Sequence, residues 1–339
     1  MPNSINRQIL LASRPQGEPG YENFKLVEAP IPAPGPGEML LKTQWLSLDP
    51  YMRGRMSDAK SYAKFVEIGE PMVGATVSKV AASNIARFRA GDLVLAYGGW
   101  QDYAISNGEG VVVLDPAKAP VQTALGVLGM PGMTAYVGLR NIGLPKAGET
   151  LVVAAATGPV GSMVGQIGKI RGCRVVGIAG GQDKVKHLTE ELGFDAGLDH
   201  RSPDFAAELK AACPKGIDVY FENVAGKVWD AVLPLLNDFA RVPVCGLIAN
   251  YSLSALPEGP DRSVALMRNI LTKRLRLQGF IVWDFKEQTG DFLKEAGGWL
   301  KEGKIKYRED IVEGLEKAPE AFMGMLKGKN FGKLLVKVE

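Results

Sequence analysis

The segment Thr157-Gly158-Pro159-Val160-Gly161-Ser162 follows the apolar run Leu151–Ala156 and precedes a stretch, Met163 to Ile170, patterned as a helix. Small residues at a strand-to-helix junction let the backbone approach a pyrophosphate. The unpaired N–H groups of the helix's first turn, at the positive end of its dipole, then bind the anion. Gly158 and Gly161 suit the close approaches, with Pro159 and Val160 between them, and Ala156 stands where the strictest dinucleotide pattern has its first glycine. Glycines alone fit any strand–turn–helix. The strand before, the helix after and a second strand over Cys173–Ala179 favour a dinucleotide site.

An NAD site places Asp or Glu about 20 residues past the glycines, at the end of the second strand. Here that strand ends in Gly180-Gly181-Gln182, and Lys184 and Lys186 follow. A ribose 2′-phosphate calls for a cation and no opposing acid, so NADPH is expected over NADH. Asp183 is discordant, unless it N-caps the next helix and turns its carboxylate to backbone N–H groups.

The chain has few metal-binding side chains. Cys173, Cys213 and Cys245 are far apart, the only histidines are His187 and His200, and no group has zinc-site spacing. The cysteines read as small buried hydrophobes in a reducing compartment, two of them inside expected strands. Metal-free hydride chemistry points to a carbon–carbon double bond conjugated to a carbonyl. Hydride must reach the β-carbon, the enolate oxygen must be stabilised, and a proton must reach the α-carbon. A tyrosine hydroxyl can donate that hydrogen bond and pass that proton. Tyr251, just past the fifth expected strand, is the first candidate, against the alternative of a packing tyrosine with a satisfied hydroxyl. Tyr62 and Trp283 read as pocket walls. His187 falls on a charged helix face, and His200, at the end of the third strand, is either an adenosine-phosphate contact or an exposed strand end.

These residues need a scaffold of two kinds. Up to about residue 125, short apolar runs (38–46, 72–80, 92–97 and 110–114) are broken by Gly and Pro turns. From residue 149, six expected strands (150–156, 173–179, 196–199, 218–223, 241–248 and 275–282) alternate with helical stretches. That order implies an α/β fold, a Rossmann-type doubly wound parallel sheet inserted into a β-rich domain. The expected domains are 1–125 plus 304–339 and 126–303, and a closing strand near 333–338 returns to the β-rich part after a helix over 318–326. Ligands of such sheets sit at the strands' carboxyl ends.

At 339 residues, 46% hydrophobic and 23% charged, the chain is long enough for two cores. A net charge of +3 with no basic run argues against nucleic acid or an anionic membrane as partner. No apolar segment approaches the roughly 18 residues of a membrane span, and the polar start, Met1 to Gln8, lacks a signal core, so a cytoplasmic location is expected.

Four motifs carry a family resemblance: Leu48-Asp49-Pro50-Tyr51-Met52-Arg53, Gly129-Met130-Pro131-Gly132-Met133-Thr134-Ala135-Tyr136, Phe221-Glu222-Asn223-Val224 and Gly328-Lys329-Asn330-Phe331-Gly332-Lys333. With the Ala-Ala-Ala-Thr-Gly-Pro-Val-Gly-Ser turn, and over nearly the whole chain, they resemble the medium-chain dehydrogenase/reductases. The likeness is to the zinc-independent branch of leukotriene hydroxydehydrogenase/prostaglandin reductases, plant alkenal reductases and bacterial curcumin-type enone reductases. The resemblance implies a GroES-like β-rich domain, NADPH as cofactor, an α,β-unsaturated ketone or aldehyde as substrate, and a homodimer paired edge to edge at 275–282. It assigns the pyrophosphate to Gly158–Gly161 and the 2′-phosphate to Lys184, with His200 nearby. Asn223 would reach the nicotinamide-side ribose. Cys245, Gly246 and Leu247 through Tyr251, with Phe280, Ile281 and Val282, would line the nicotinamide pocket, and Asn330 would touch the cofactor. Tyr51 becomes a second catalytic candidate, and Arg53 a loop anchor pairing with a carboxylate. Thr157 and Ala225 replace the small residues usual there, so local backbone is where a departure is expected. A quinone oxidoreductase and a non-catalytic NADPH-binding protein are the competing readings.

Overall fold

Residues 5–125 carry seven strands joined by turns and loops in a computed structural model that describes residues 5–339. Strands β1 (Ile5–Leu11) and β2 (Phe24–Pro30) pair antiparallel. Strands β3 (Met39–Ser47), β4 (Thr76–Ser83), β5 (Leu93–Ala96), β6 (Tyr103–Ser106) and β7 (Val112–Val113) form an antiparallel sheet. The short helix α1 (Tyr51–Arg55) leaves β3 through Pro50, whose fixed φ suits a helix start. Strands β1, β2 and β6 were not expected. Their Asn, Arg, Gln, Lys and Ser break the apolar alternation by which a strand is read.

The second unit spans 126–251 and 255–308. After α2 (Met130–Gly138) it runs β8 (Thr150–Ala154), α3 (Pro159–Ile170), β9 (Arg174–Ala179), α4 (Gln182–Glu190), β10 (Ala196–Asp199), α5 (Phe205–Ala212), β11 (Ile217–Phe221), α6 (Gly226–Val232), β12 (Leu236–Val244), α7 (Ser263–Lys273), β13 (Arg276–Gly279) and α8 (Thr289–Lys301). The sheet order is β10-β9-β8-β11-β12-β13, all parallel. Consecutive residues of β8 feed opposite cores. Leu151 and Val153 join Met163, Val164 and Ile167 of α3, whereas Val152 and Ala154 join Val228 and Val232 of α6. Each such aliphatic side chain contributes roughly 1.5–3 kcal/mol by burial. The strand order reverses between β8 and β11, and at that switch point ligands of such sheets bind.

All six expected strands lie in this sheet; only 196–199 keeps both of its ends, and the last two move most. The fifth begins at Leu236 and stops at Val244, so residues 245–248 belong to a loop, and the sixth shrinks to Arg276–Gly279. The cysteines fall just outside strands: Cys173 before β9, Cys213 after α5 and Cys245 after β12.

The chain then rejoins the first unit, to which 252–254 and 309–339 belong. Strand β14 (Glu309–Glu313) runs parallel to β15 (Lys333–Lys337), and β15 pairs antiparallel with β3, with α9 (Ala318–Leu326) between them. Phe322 of α9 stands edge-on to Trp100 at 5.6 Å, and Trp100 stacks on Phe24 at 5.7 Å. Among the described residues no helix is long and apolar enough to cross a membrane.

Candidate active site

Helix α3 starts at Gly158, whose extended backbone (φ −72°, ψ 168°) caps it, with Pro159 in its first position. The N–H groups of Val160 and Gly161, in the first turn of the helix that follows β8, have no acceptor within the helix. Gly161 has no room for a side chain: a Cβ there would lie 2.3 Å from the Ala155 oxygen and 2.8 Å from Ala156 Cα. Gly158 is less constrained, its nearest neighbour standing at 3.2 Å. Ala155 itself takes φ +50°, the left-handed conformation that glycine adopts without steric cost. Thr157 is buried and leaves this turn intact. The cradle fits a pyrophosphate.

At the end of β9, Gly180 lies beneath two side chains from the end of β10. A Cβ on Gly180 would stand 2.9 Å from His200 Nε2 and 3.0 Å from Arg201 Nε. Arg201, which sequence reading missed, is exposed and anchored by its N–H to Asp199 at 3.0 Å. Lys184, two residues into α4, lies within electrostatic reach of His200. Desolvation, then Arg201 and Lys184, hold the His200 imidazole below its ordinary range, so it is neutral near pH 7. Asp183 is not the N-cap. Gly181, at φ +98°, caps α4, and Asp183 sits exposed in the first turn, where the dipole favours its charge. Lys184, His200, Arg201 and the bare Gly180-Gly181 backbone fit a phosphate monoester. Only tertiary structure brings Arg201 to Gly180, because the two stand at the ends of neighbouring strands.

The turn after β11 is built differently. Glu222, 3% exposed, accepts hydrogen bonds at Oε1 from Tyr220 Oη (3.0 Å) and from the N–H groups of Val224 (2.6 Å) and Ala225 (2.9 Å). Burial pushes its carboxyl above the usual range, against those donors. Ala225 adopts φ +69°, ψ −156°, backbone otherwise almost restricted to glycine. The expected departure at this position is therefore real. Asn223 reaches back to donate to the Ala154 carbonyl at 2.9 Å, tying the ends of β11 and β8 together.

Tyr251 closes the loop after β12. Its hydroxyl oxygen accepts the Leu247 N–H at 3.3 Å and lies 3.0 Å from where a Gly246 Cβ would be. Cys245 lies under this loop, its thiol pushed well up first by burial and then by the charge of Glu222, so it is neutral wall rather than nucleophile. Phe280 and Val282 point into the core, Phe280 edge-on to Phe221 at 6.2 Å. Ile281 is half-buried and Trp283 is exposed at 52%.

Tyr51, Tyr62 and Asn330 are in the first unit. Arg55 spans the two tyrosines, 5.6 Å from the ring centre of Tyr51 and 4.7 Å from that of Tyr62. Burial, then the charges of Asp49 and Tyr97, raise the Tyr51 phenol far above its ordinary range, which keeps it protonated. Tyr97, absent from the sequence reading, joins this group. Among the described residues Arg53 pairs with no carboxylate. Only 5% exposed, it donates to the Gly17 carbonyl at 2.6 Å, its Nε meets no partner among the described residues, and burial holds its affinity for protons down. The loop is fixed elsewhere: buried Lys333 of β15 donates to Asp49 at 2.7 Å and to the Leu48 carbonyl at 2.8 Å. Asn330, three residues earlier, donates to the Gly332 carbonyl at 2.9 Å. Among the described residues no group of three or more His, Cys, Asp or Glu is placed to hold a metal ion.

A doubly wound sheet, a glycine-tight helix start at its switch point and a cationic end to its second strand define a dinucleotide-binding protein. Residues 7–114 match the model described as the N-terminal domain of oxidoreductase, and residues 159–296 that described as zinc-binding dehydrogenase. The NADPH-dependent curcumin reductase of Escherichia coli (strain K12) is 60% identical, over 98% of this chain and 97% of its own. The NADP(+)-dependent 2-alkenal reductase of Nicotiana tabacum is 39% identical, over 98% of this chain and 97% of its own. The crystal structure of CurA in complex with NADPH from Vibrio vulnificus superposes with a TM-score of 0.96 at 59% identity, covering 98% of this chain and 99% of that one. The chain belongs to the medium-chain dehydrogenase/reductase family, in the zinc-independent branch of the curcumin and prostaglandin reductases.

Proposed function

We propose that this protein is an NADPH-dependent reductase of the carbon–carbon double bond of α,β-unsaturated ketones and aldehydes, curcumin-type enones among them. The observation that carries the reading is the Tyr251 hydroxyl, held over Gly246 beside the Asn223 turn, at the end of a sheet whose phosphate turn and cationic corner suit NADPH. The relatives named for such reductions support it. When bound, NADPH supplies the hydride that adds to the β-carbon. Val160 and Gly161 N–H groups hold the pyrophosphate, Lys184, His200 and Arg201 the 2′-phosphate, and Asn223 the nicotinamide-side ribose. Cys245 to Leu247, Ile281 and the main chain of Phe280 and Val282 wall the nicotinamide, and the family resemblance assigns Asn330 a cofactor contact. A hydroxyl that accepts from Leu247 still carries its own proton, so Tyr251 donates to the enolate oxygen and relays a proton towards the α-carbon. Tyr51, kept protonated, is the second donor, and Tyr62 and Trp283 complete the substrate walls.

The test is NADPH oxidation with an enone and with its saturated analogue. Turnover is expected with the enone alone, and Tyr251→Phe should lower it by about 10²-fold without weakening NADPH. Quinone reduction untouched by Tyr251→Phe, with no enone turnover, would replace this reading. NADPH binding with turnover of neither would leave a binding protein.

We further propose a cytoplasmic homodimer. The edge strand is short and mostly polar, contrary to its expected apolar character, and the apolar surface lies on α7 instead. Val264, Met267 and Leu271, exposed at 71%, 62% and 76%, share one face of α7, the helix that leads into β13. Light scattering on the eluted protein should give twice the chain mass, and a monomer would sink this part.

A further inference from the structure

Glu222 carries a carboxylate into the interior with no cation beside it among the described residues. Stability alone does not ask for this, since an apolar replacement of a buried charge is often neutral or better. What the carboxylate does is geometric. Its Oε1 gathers the Val224 and Ala225 N–H groups, holding Ala225 in its glycine-like conformation, and Tyr220, two residues upstream on the same face of β11, supplies a third donor. The turn so fixed is a template for the next loop. The Glu222 carbonyl accepts from Cys245 (2.9 Å) and Gly246 (3.1 Å), the Asn223 carbonyl from Ile248 (3.2 Å), and the Val224 carbonyl from Ala249 (3.0 Å). Tyr251 N–H then donates to the Ile248 carbonyl at 3.4 Å, and the Leu247 N–H reaches the Tyr251 hydroxyl. Every carbonyl of 222–224 is thus engaged by the loop that carries the phenol.

We propose that Glu222 is a positioning residue, which places the Tyr251 hydroxyl and the Asn223 side chain by holding the 223–225 turn. This rests on the role given to Tyr251 under the proposed function. Releasing the turn lets both groups drift by fractions of an ångström, and displacement on that scale costs up to about 10²-fold in rate.

The experiment is a double-mutant cycle on the full chain, with kcat referred to NADPH sites counted by fluorescence titration, so that only folded enzyme is scored. Glu222→Ala should lower kcat for the enone about tenfold or more and raise the KM for NADPH several-fold. Glu222→Asp, which keeps the charge but withdraws the acceptor by one methylene, should do the same and serves if the alanine variant does not fold. Glu222→Gln keeps an acceptor in place and should recover turnover to within about threefold. In a Tyr251→Phe background the Ala or Asp change should cost less than about twofold more, since the group it positions is gone. Multiplicative losses, or an unchanged kcat per NADPH site, would overturn the positioning role while leaving Tyr251 in place. Full enone turnover by Tyr251→Phe alone would instead remove the reading on which the proposal rests, and the proposal with it.

Discussion

The Rossmann sheet makes two strand-to-helix turns side by side, after β8 and after β11, and they solve one steric problem in opposite ways. Both lie at the carboxyl end of the parallel sheet, where the proposed function places the cofactor. The first does it by omission: Gly161 has no side chain, and α3 closes onto Ala155 and Ala156. The second does it by constraint: Ala225 keeps its methyl in backbone that favours glycine, and buried Glu222 holds it there. A pyrophosphate is bound by main-chain N–H groups at a helix start. The groups beside the reacting carbon must be fixed to a fraction of an ångström, and a buried, multiply bonded side chain does that better.

Five substitutions break or sharpen this contrast. Gly161→Ala should have the largest effect. Its Cβ meets a backbone oxygen that cannot step aside, so the helix must move, with about 1–3 kcal/mol of stability lost and NADPH affinity down at least tenfold. Gly158→Ala, with 3.2 Å of clearance, should cost far less, and equal losses by titration would mean that the close approach is not what the turn depends on. Next come Lys184→Ala and Arg201→Ala. Each removes one charged contact to the 2′-phosphate, worth about 1.5–3 kcal/mol, so the Kd for NADPH should rise about tenfold or more while that for NADH stays within about twofold. Parallel losses for both cofactors would show the corner to be misassigned. The smallest effect is expected from Ala225→Gly. Relief of about 1–3 kcal/mol of strain, less the greater chain entropy of glycine, should raise Tm by about 2 °C or more and leave turnover intact. A fall in Tm would mean that Glu222 is not working against strain.

The phosphate turn was legible because its signal is local, a run of small residues between a strand and a helix. The Rossmann order was legible for the same reason, through apolar runs such as Leu151–Ala154 set at regular intervals. Tyr251 could be placed at a strand's end but not oriented, because its hydroxyl is aimed by Leu247 and Gly246, residues with no chemical signature. Arg201 was missed, since nothing along the chain ties it to Gly180, 21 positions before it. For Arg53 a charged residue in a motif suggested an ion pair, yet the folded chain gives Asp49 to Lys333, 284 residues away. The strands beginning at Ile5 and Phe24 escaped notice because polar residues such as Asn6, Arg7, Gln8 and Lys25 interrupt their apolar alternation.

What the order of residues decided by itself is whatever short-range pattern can encode: the alternation of strand and helix, the glycine-lined helix start, the lack of a carboxylate at the second strand's tip and of zinc-spaced ligands. What only the folded chain decided is which distant groups share a few ångströms. Arg201 over Gly180, Lys333 on Asp49 and Glu222 beneath the loop of Tyr251 are long-range or side-chain-to-backbone pairings. Their energies depend on burial and direction, and neither exists until the sheet has formed.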